Sequence, residues 1–159
     1  MNRPQRQRQS YSERRRILEE LQLDGTQWRT PEPFDHVGRT SQNENFAIDV
    51  NPAGTGVSGL FIEQINESCT PQFNIYGNTT NWGAYTVPLA PDGSFKFDYA
   101  YQGTIGGSYP ASDHLTVSGR VSNGGLAVGN LVLTTSFSGY GKQFSCSSGL
   151  QSWTAARSS

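Results

Sequence analysis

The chain has 159 residues, 34% of them apolar and 16% charged, with 18 Gly, which fits one domain able to bury a core beneath a turn-rich, polar outer surface. Aromatic residues spread through the body (3 Trp, 7 Tyr and 8 Phe) exclude disorder throughout, and no apolar run approaches the length of a membrane span. The net charge of −1 hides an asymmetry: residues 1–23 carry six Arg against three Glu, and the rest ten acidic against six basic side chains, so a basic arm precedes a mildly acidic body without the basic face that nucleic acid requires.

Residues 1–9 are Arg, Gln, Asn and Pro without periodicity, an arm that only a partner would order. Ser10 and Glu13 have capping-box spacing, and Tyr11, Ile17, Leu18 and Leu21 share one stripe, so a short amphipathic helix is expected over 11–22. Arg14, Arg15 and Arg16 near its start oppose the helix dipole, which calls for an acidic partner or for a helix that forms only on docking; with Ile17, Leu18 and Leu21 they are the candidate docking residues, and a solvated tail is the alternative reading of the arm. The run Ser12 to Leu18 superficially matches a twin-arginine signal, but Glu19-Glu20-Leu21-Gln22 follows where an apolar stretch belongs. Export is then expected through a leader that has been removed, within an assembly such as a virion, or by lysis.

Residues 24–43 read as an irregular Pro-rich lead-in with Trp28 and Phe34 as anchors, and 44–159 as the β domain. Phe46, Ile48 and Val50 alternate as in a half-buried strand, and apolar residues on both faces of 57–65 predict a central strand. Short strands are expected at 73–76 and 84–87 around a turn at 77–83, and Pro91-Asp92-Gly93 is a turn with Gly in the left-handed position. Phe95, Phe97, Tyr99 and Tyr101 share one face of the next strand; 103–112 reads as a loop. Strands 115–121 and 126–137 meet at Asn123-Gly124-Gly125. In the second, the inward phase is assigned to the small residues Ala127 and Gly129, which make room for facing aromatics, rather than to a bulge. Segments 143–146 and 150–155 close the sheet. The expected fold is all-β: an antiparallel sandwich or flattened barrel of eight or nine strands, preceded by the helix and basic arm.

Cys69 and Cys146 are the only cysteines, and neither has a second Cys or His at metal spacing, so a zinc site is excluded. A disulfide between them suits the secreted look of the composition; two free buried thiols are the alternative. The order Gly119, Gly124-Gly125, Ala127, Gly129, then Cys146-x-x-Gly149-x-x-x-Trp153-x-Ala155 resembles the ending of secreted bacterial β-sandwich domains of unknown function. The resemblance covers about 44–157 and implies an extracytoplasmic sandwich with Cys69 bridged to Cys146; it carries no catalytic residues.

Glu63, Glu67, Asp98 and Asp113 are the carboxylates available for acid–base work, and each reads more simply as an outward strand or turn residue. His36 and His114 are the only imidazoles for activating a nucleophile, and both read as surface or turn residues. No cofactor or metal is implied. Trp82, Tyr85, Tyr101 and Tyr109, near Asn78, Asn81 and Asp98, form the candidate binding set, of the kind on which sugar rings stack. The expectation is therefore a non-catalytic extracellular, cell-surface or virion-associated module that docks through its arm on a protein partner or a second copy. A carbohydrate-binding module is the alternative.

Overall fold

The computed structural model describes residues 34–83 and 86–158. Every element among them is a strand and every pairing is antiparallel: β1 (His36–Thr40), β2 (Asn45–Val50), β3 (Gly56–Thr70), β4 (Phe73–Trp82), β5 (Val87–Pro88), β6 (Ser94–Ile105), β7 (Tyr109–Val121), β8 (Leu126–Gly139), β9 (Lys142–Ser147) and β10 (Gln151–Arg157). One edge of β8 is shared: residues 126–131 pair with β10 and residues 134–139 with β9. Because β10 continues through β1 and β2 to β3, and β3 returns to β9, the hydrogen bonds close a ring. Closure leaves the ring strands fewer unpaired edges. The β6–β7 hairpin extends from the other edge of β8, while β4 and β5 lie along the outer edge of β3.

The inward rows follow from register. Phe95, Gly119, Gly129, Trp153 and Thr40 lie side by side across five strands. The Trp153 indole covers both glycines: a Cβ on Gly119 would sit 2.3 Å from the ring, and one on Gly129 would sit 2.6 Å from it. The indole stacks on Phe46 at 4.3 Å, and its N–H donates to the Asn130 carbonyl at 3.2 Å. Ala127 is fully buried while Leu126 and Val128 point outward, as expected for small residues that admit a large facing ring. Ile48, Leu60, Ile62, Leu115, Leu131 and Leu133 complete this core; a smaller cluster of Ile75, Ala111, Phe137, Phe144 and Cys146 lies beyond it.

Several expectations need correction. The described residues form ten strands rather than eight or nine. The lead-in assigned to 24–43 contains β1, whose inward residues are His36, Gly38 and Thr40. They show no apolar alternation, so β1 is a strand because β2 and β10 flank it. The turn expected at 77–83 lies mostly within β4, and the loop at 103–112 is strand on both sides of a turn at 106–108. There, β6 and β7 stay paired from Ser94↔Arg120 through to Ile105↔Tyr109. The helix expected at 11–22 and the anchor Trp28 lie outside the described residues. Phe34 is described, and its ring meets Phe61 at 5.9 Å on the outer side of β3.

Candidate functional site

Of the candidate binding set, Tyr101 and Tyr109 occupy separate places. Tyr101 continues the inward row of β6, half-buried and stacked on Tyr99 at 5.4 Å, and packs on the main core. Tyr109 stands at the start of β7 against Tyr140, ring centres 5.1 Å apart, over the smaller cluster. Tyr101 pairs with Asp113 and Tyr109 with Ile105; four residues of strand separate the two levels by about 13 Å. Trp82 ends β4, and Tyr85 lies outside the described residues. The arm residues Arg14, Arg15, Arg16, Ile17, Leu18 and Leu21 also lie outside them.

Cys69 and Cys146 form a disulfide, as neighbours in directly paired positions of β3 and β9. A single inward row holds Tyr101, Asp113, Thr135, Cys146, Cys69 and Phe73. Glu67, two residues before Cys69, enters the same interior, after irregularities in β3 on either side of Ile65 that reset its inward phase. Glu67 and Asp113 are only 3% and 6% exposed. Their Oε2 and Oδ1 atoms lie 2.8 and 2.6 Å from the Thr135 hydroxyl oxygen. That hydroxyl has one proton to give, so the second contact is a hydrogen bond only if the other carboxyl is protonated and donates to Thr135.

Burial raises the Glu67 carboxyl to about 7; the Thr135 hydrogen bond opposes this and the Asp113 charge adds to it. Burial raises Asp113 as well, against its bond from Thr135. A folded-state pKa above the unfolded one gives stability that is complete below the unfolded value and is lost as pH rises through the folded one. Unfolding measured across the acid-to-alkaline range should therefore show stability falling between about pH 5 and 8, by about 3 kcal/mol on full ionisation of Glu67. Glu67→Gln should flatten that fall, since the amide stays neutral. A wild-type profile flat across this range would show that the carboxyl ionises without penalty.

The other two carboxylates considered above lie apart. Glu63 accepts a hydrogen bond from Asn45 on β2. Asp98 pairs with His114 across the exposed outer face of β6 and β7, and that hydrogen bond holds its carboxyl below the usual carboxylate range. His114 borders a shallow groove floored by Ser112, Thr134, Ser136 and Ser145. His36 departs from its expected surface position: it is 1% exposed, inward on β1, and its Nδ1 lies 2.6 Å from Asp35 Oδ1. Among the described residues, no three His, Cys, Asp or Glu side chains are grouped to hold a metal ion, and no helix is long and apolar enough to cross a membrane.

The outer face of β1, β10 and β8 carries an apolar row that the sequence pattern did not single out. Val37, Ala156 and Leu126 are transverse neighbours by register, and Val37 continues the row to Ala47 and Phe61. Val37 and Leu126 are 49% and 51% exposed, and Val128 in the adjoining row is 44% exposed. That adjoining row runs Arg39, Thr154, Val128, Arg120, so a cation stands at each end. Arg39 donates to the Asn43 carbonyl and Arg120 to Asp92, both from exposed positions. The signal available in the sequence was the outward phase of Leu126 and Val128; their meeting with Val37 depends on β10 lying between β1 and β8. Comparison with protein-family models, curated proteins and solved structures found no match to the chain.

Proposed function

We propose that the chain is a non-catalytic extracytoplasmic module that assembles with further copies of itself, through the outer face of β1, β10 and β8 and through its basic N-terminal arm. The observation that carries the reading is the exposed apolar row Val37–Ala156–Leu126 with Val128 beside it and an arginine at either end. Apolar side chains grouped on an otherwise polar outer sheet face mark an interaction surface. Charge supports a second copy as the occupant, because six Arg against three Glu in residues 1–23 oppose a body in which acidic side chains exceed basic ones by ten to six. A short helix over 11–22 would present Ile17, Leu18 and Leu21 beside Arg14, Arg15 and Arg16, and would gain its stability on docking. The disulfide supports a location outside the reducing cytosol.

The test is sedimentation of the full chain at low and high salt. The chain should associate, more weakly in high salt, and association should fall at least about tenfold both on deletion of residues 1–23 and in the Leu126→Asp, Val128→Asp double variant. Both altered residues are exposed, so the thermal transition of the isolated domain should stay nearly unchanged. A full chain that sediments as a monomer at every salt concentration overturns the reading.

A further inference from the structure

Asn123-Gly124 is the one Asn-Gly pair in the sequence, and it forms the tip of the β7–β8 hairpin. A backbone amide nitrogen can close a five-membered ring on the side-chain carbonyl of a preceding Asn, and a Gly at that position, having no Cβ, leaves the approach open. Whether the ring closes in a folded chain depends on the hydrogen bonds of the pair, its exposure and its freedom to rotate.

Each of these favours the reaction at this turn. The turn is closed by its flanks: Gly125 N–H donates to the Ser122 carbonyl at 3.1 Å, and the Ser122 N–H and hydroxyl donate to the Leu126 carbonyl at 2.8 and 2.9 Å. Between them, the Gly124 N–H has no acceptor and the Asn123 amide no hydrogen-bond partner among the described residues. Both residues are exposed, and a Cβ on Gly124 would meet nothing within 4 Å. The left-handed conformation that the turn requires falls on Gly125, with φ of 79°, rather than on either member of the pair. Asp92-Gly93 in the β5–β6 turn is the contrast. Gly93 N–H donates to the Ala90 carbonyl at 2.8 Å. Asp92 Oδ1 accepts from the Ser94 N–H and hydroxyl at 3.0 and 2.6 Å, and Oδ2 accepts from Arg120 at 2.9 Å. There the attacking nitrogen is engaged and the carboxyl is held by three bonds.

We infer that Asn123 is a self-modification site, at which the folded protein converts an amide into a carboxylate with water as the only co-reactant. The Gly124 nitrogen gives its proton to solvent base and bonds to Asn123 Cγ. The Cγ–Nδ2 bond breaks, the leaving nitrogen takes up a proton and departs as ammonia, and a succinimide remains. Water then adds at one of the two ring carbonyls. Breaking the bond from Cγ to the Gly124 nitrogen gives Asp; breaking the bond from the backbone carbonyl carbon of residue 123 gives isoaspartate, with the chain continuing through Cγ. One amide and one water become one carboxylic acid and one ammonia. Either product adds a negative charge to the hairpin tip. The isoaspartyl product also lengthens the backbone by one carbon just before Gly125, whose carbonyl accepts the Arg157 N–H at 2.7 Å and ties the tip to β10. The chemistry is independent of self-assembly.

The test is incubation of the full chain at physiological temperature and mildly alkaline pH, sampled over weeks by tryptic digestion and mass spectrometry. The peptide Val121–Lys142 should gain about 1 Da at Asn123, and an isoaspartyl methyltransferase should label it. The rate should rise with pH, because the Gly124 amide must lose its proton. Gly124→Ala puts a methyl group into open space, so the variant should fold and react about tenfold more slowly or worse. In urea, wild-type Asn123 should react within about threefold of its native rate, since the turn needs no unfolding, whereas Asp92 should become labelled only there. An unchanged Asn123 in the native protein, a native rate more than about tenfold below the unfolded one, native labelling of Asp92 as fast as that of Asn123, or undiminished reaction in Gly124→Ala would overturn the inference.

Discussion

Trp153→Ala should lower the unfolding free energy by about 3–5 kcal/mol, the usual cost of emptying a large buried aromatic site that cannot collapse. Collapse is blocked because the indole lies over two glycines, and nothing on Gly119 or Gly129 can move into the space. The reverse change is nearly as costly. A Cβ at Gly129 would stand 1.9 Å from the Ser118 carbonyl oxygen and 2.7 Å from the Gly119 Cα, both backbone atoms held by the β7–β8 ladder. Gly129→Ala should therefore destabilise by several kcal/mol whether or not the ring is present. Gly119→Ala differs, since its two nearest clashes are with the indole at 2.3 and 2.7 Å. Part of its cost should vanish in a Trp153→Ala background. Urea unfolding of the single and double variants measures this coupling. Strict additivity of Gly119→Ala with Trp153→Ala, or a cost under about 1 kcal/mol for Gly129→Ala, would show that the ring and strands do not meet as described.

Removing the disulfide should cost about 4 kcal/mol, because Cys69 and Cys146 are separated by 77 positions and closing a loop of that length takes much entropy from the unfolded chain. The loss should also be local. β3 and β9 are paired only over residues 68–70 and 145–147, the shortest seam of the ring. Without the bridge, amide exchange should accelerate first in β9 and in the part of β8 that pairs with it, ahead of the long β6–β7 ladder. Denaturant unfolding with and without reductant gives the magnitude, and hydrogen exchange gives the place. Two alkylatable thiols in the native protein, or an intact mass that reduction does not raise by two hydrogens, would rule out the bridge.

Wherever a strand follows its own binary pattern, the sequence alone determined it. Phe46 and Ile48, Phe95 and Phe97, and Leu115 and Val117 alternate inward as read from the residues, and Gly93 and Gly125 take the left-handed conformations that their turns require, with φ of 83° and 79°. The inward choice of Ala127 and Gly129 was legible because a small residue in a strand implies a large facing neighbour, which proves to be Trp153. The Cys69–Cys146 bridge was likewise accessible, although not that its two ends are direct cross-strand neighbours.

Only the tertiary structure decided the rest, and the reason is common to all of it. A polar residue on the inward phase looks in sequence like one on the outward phase, so His36, Glu67 and Asp113 read as surface until partners arriving from distant strands account for them: Asp49 and Val50 for the Asp35 that orients His36, and Thr135 for two carboxyls 46 positions apart in the chain, Glu67 and Asp113. β1 is too short and too polar to declare itself; its five residues are a strand because β2 and β10 hydrogen-bond to both of its edges. The apolar outer row arises from that same insertion, which sets Val37 beside Ala156 on one face and His36 beside Arg157 on the other. Strand periodicity is encoded locally every second residue, whereas the order of strands around a closed ring is fixed by pairings between residues more than a hundred positions apart.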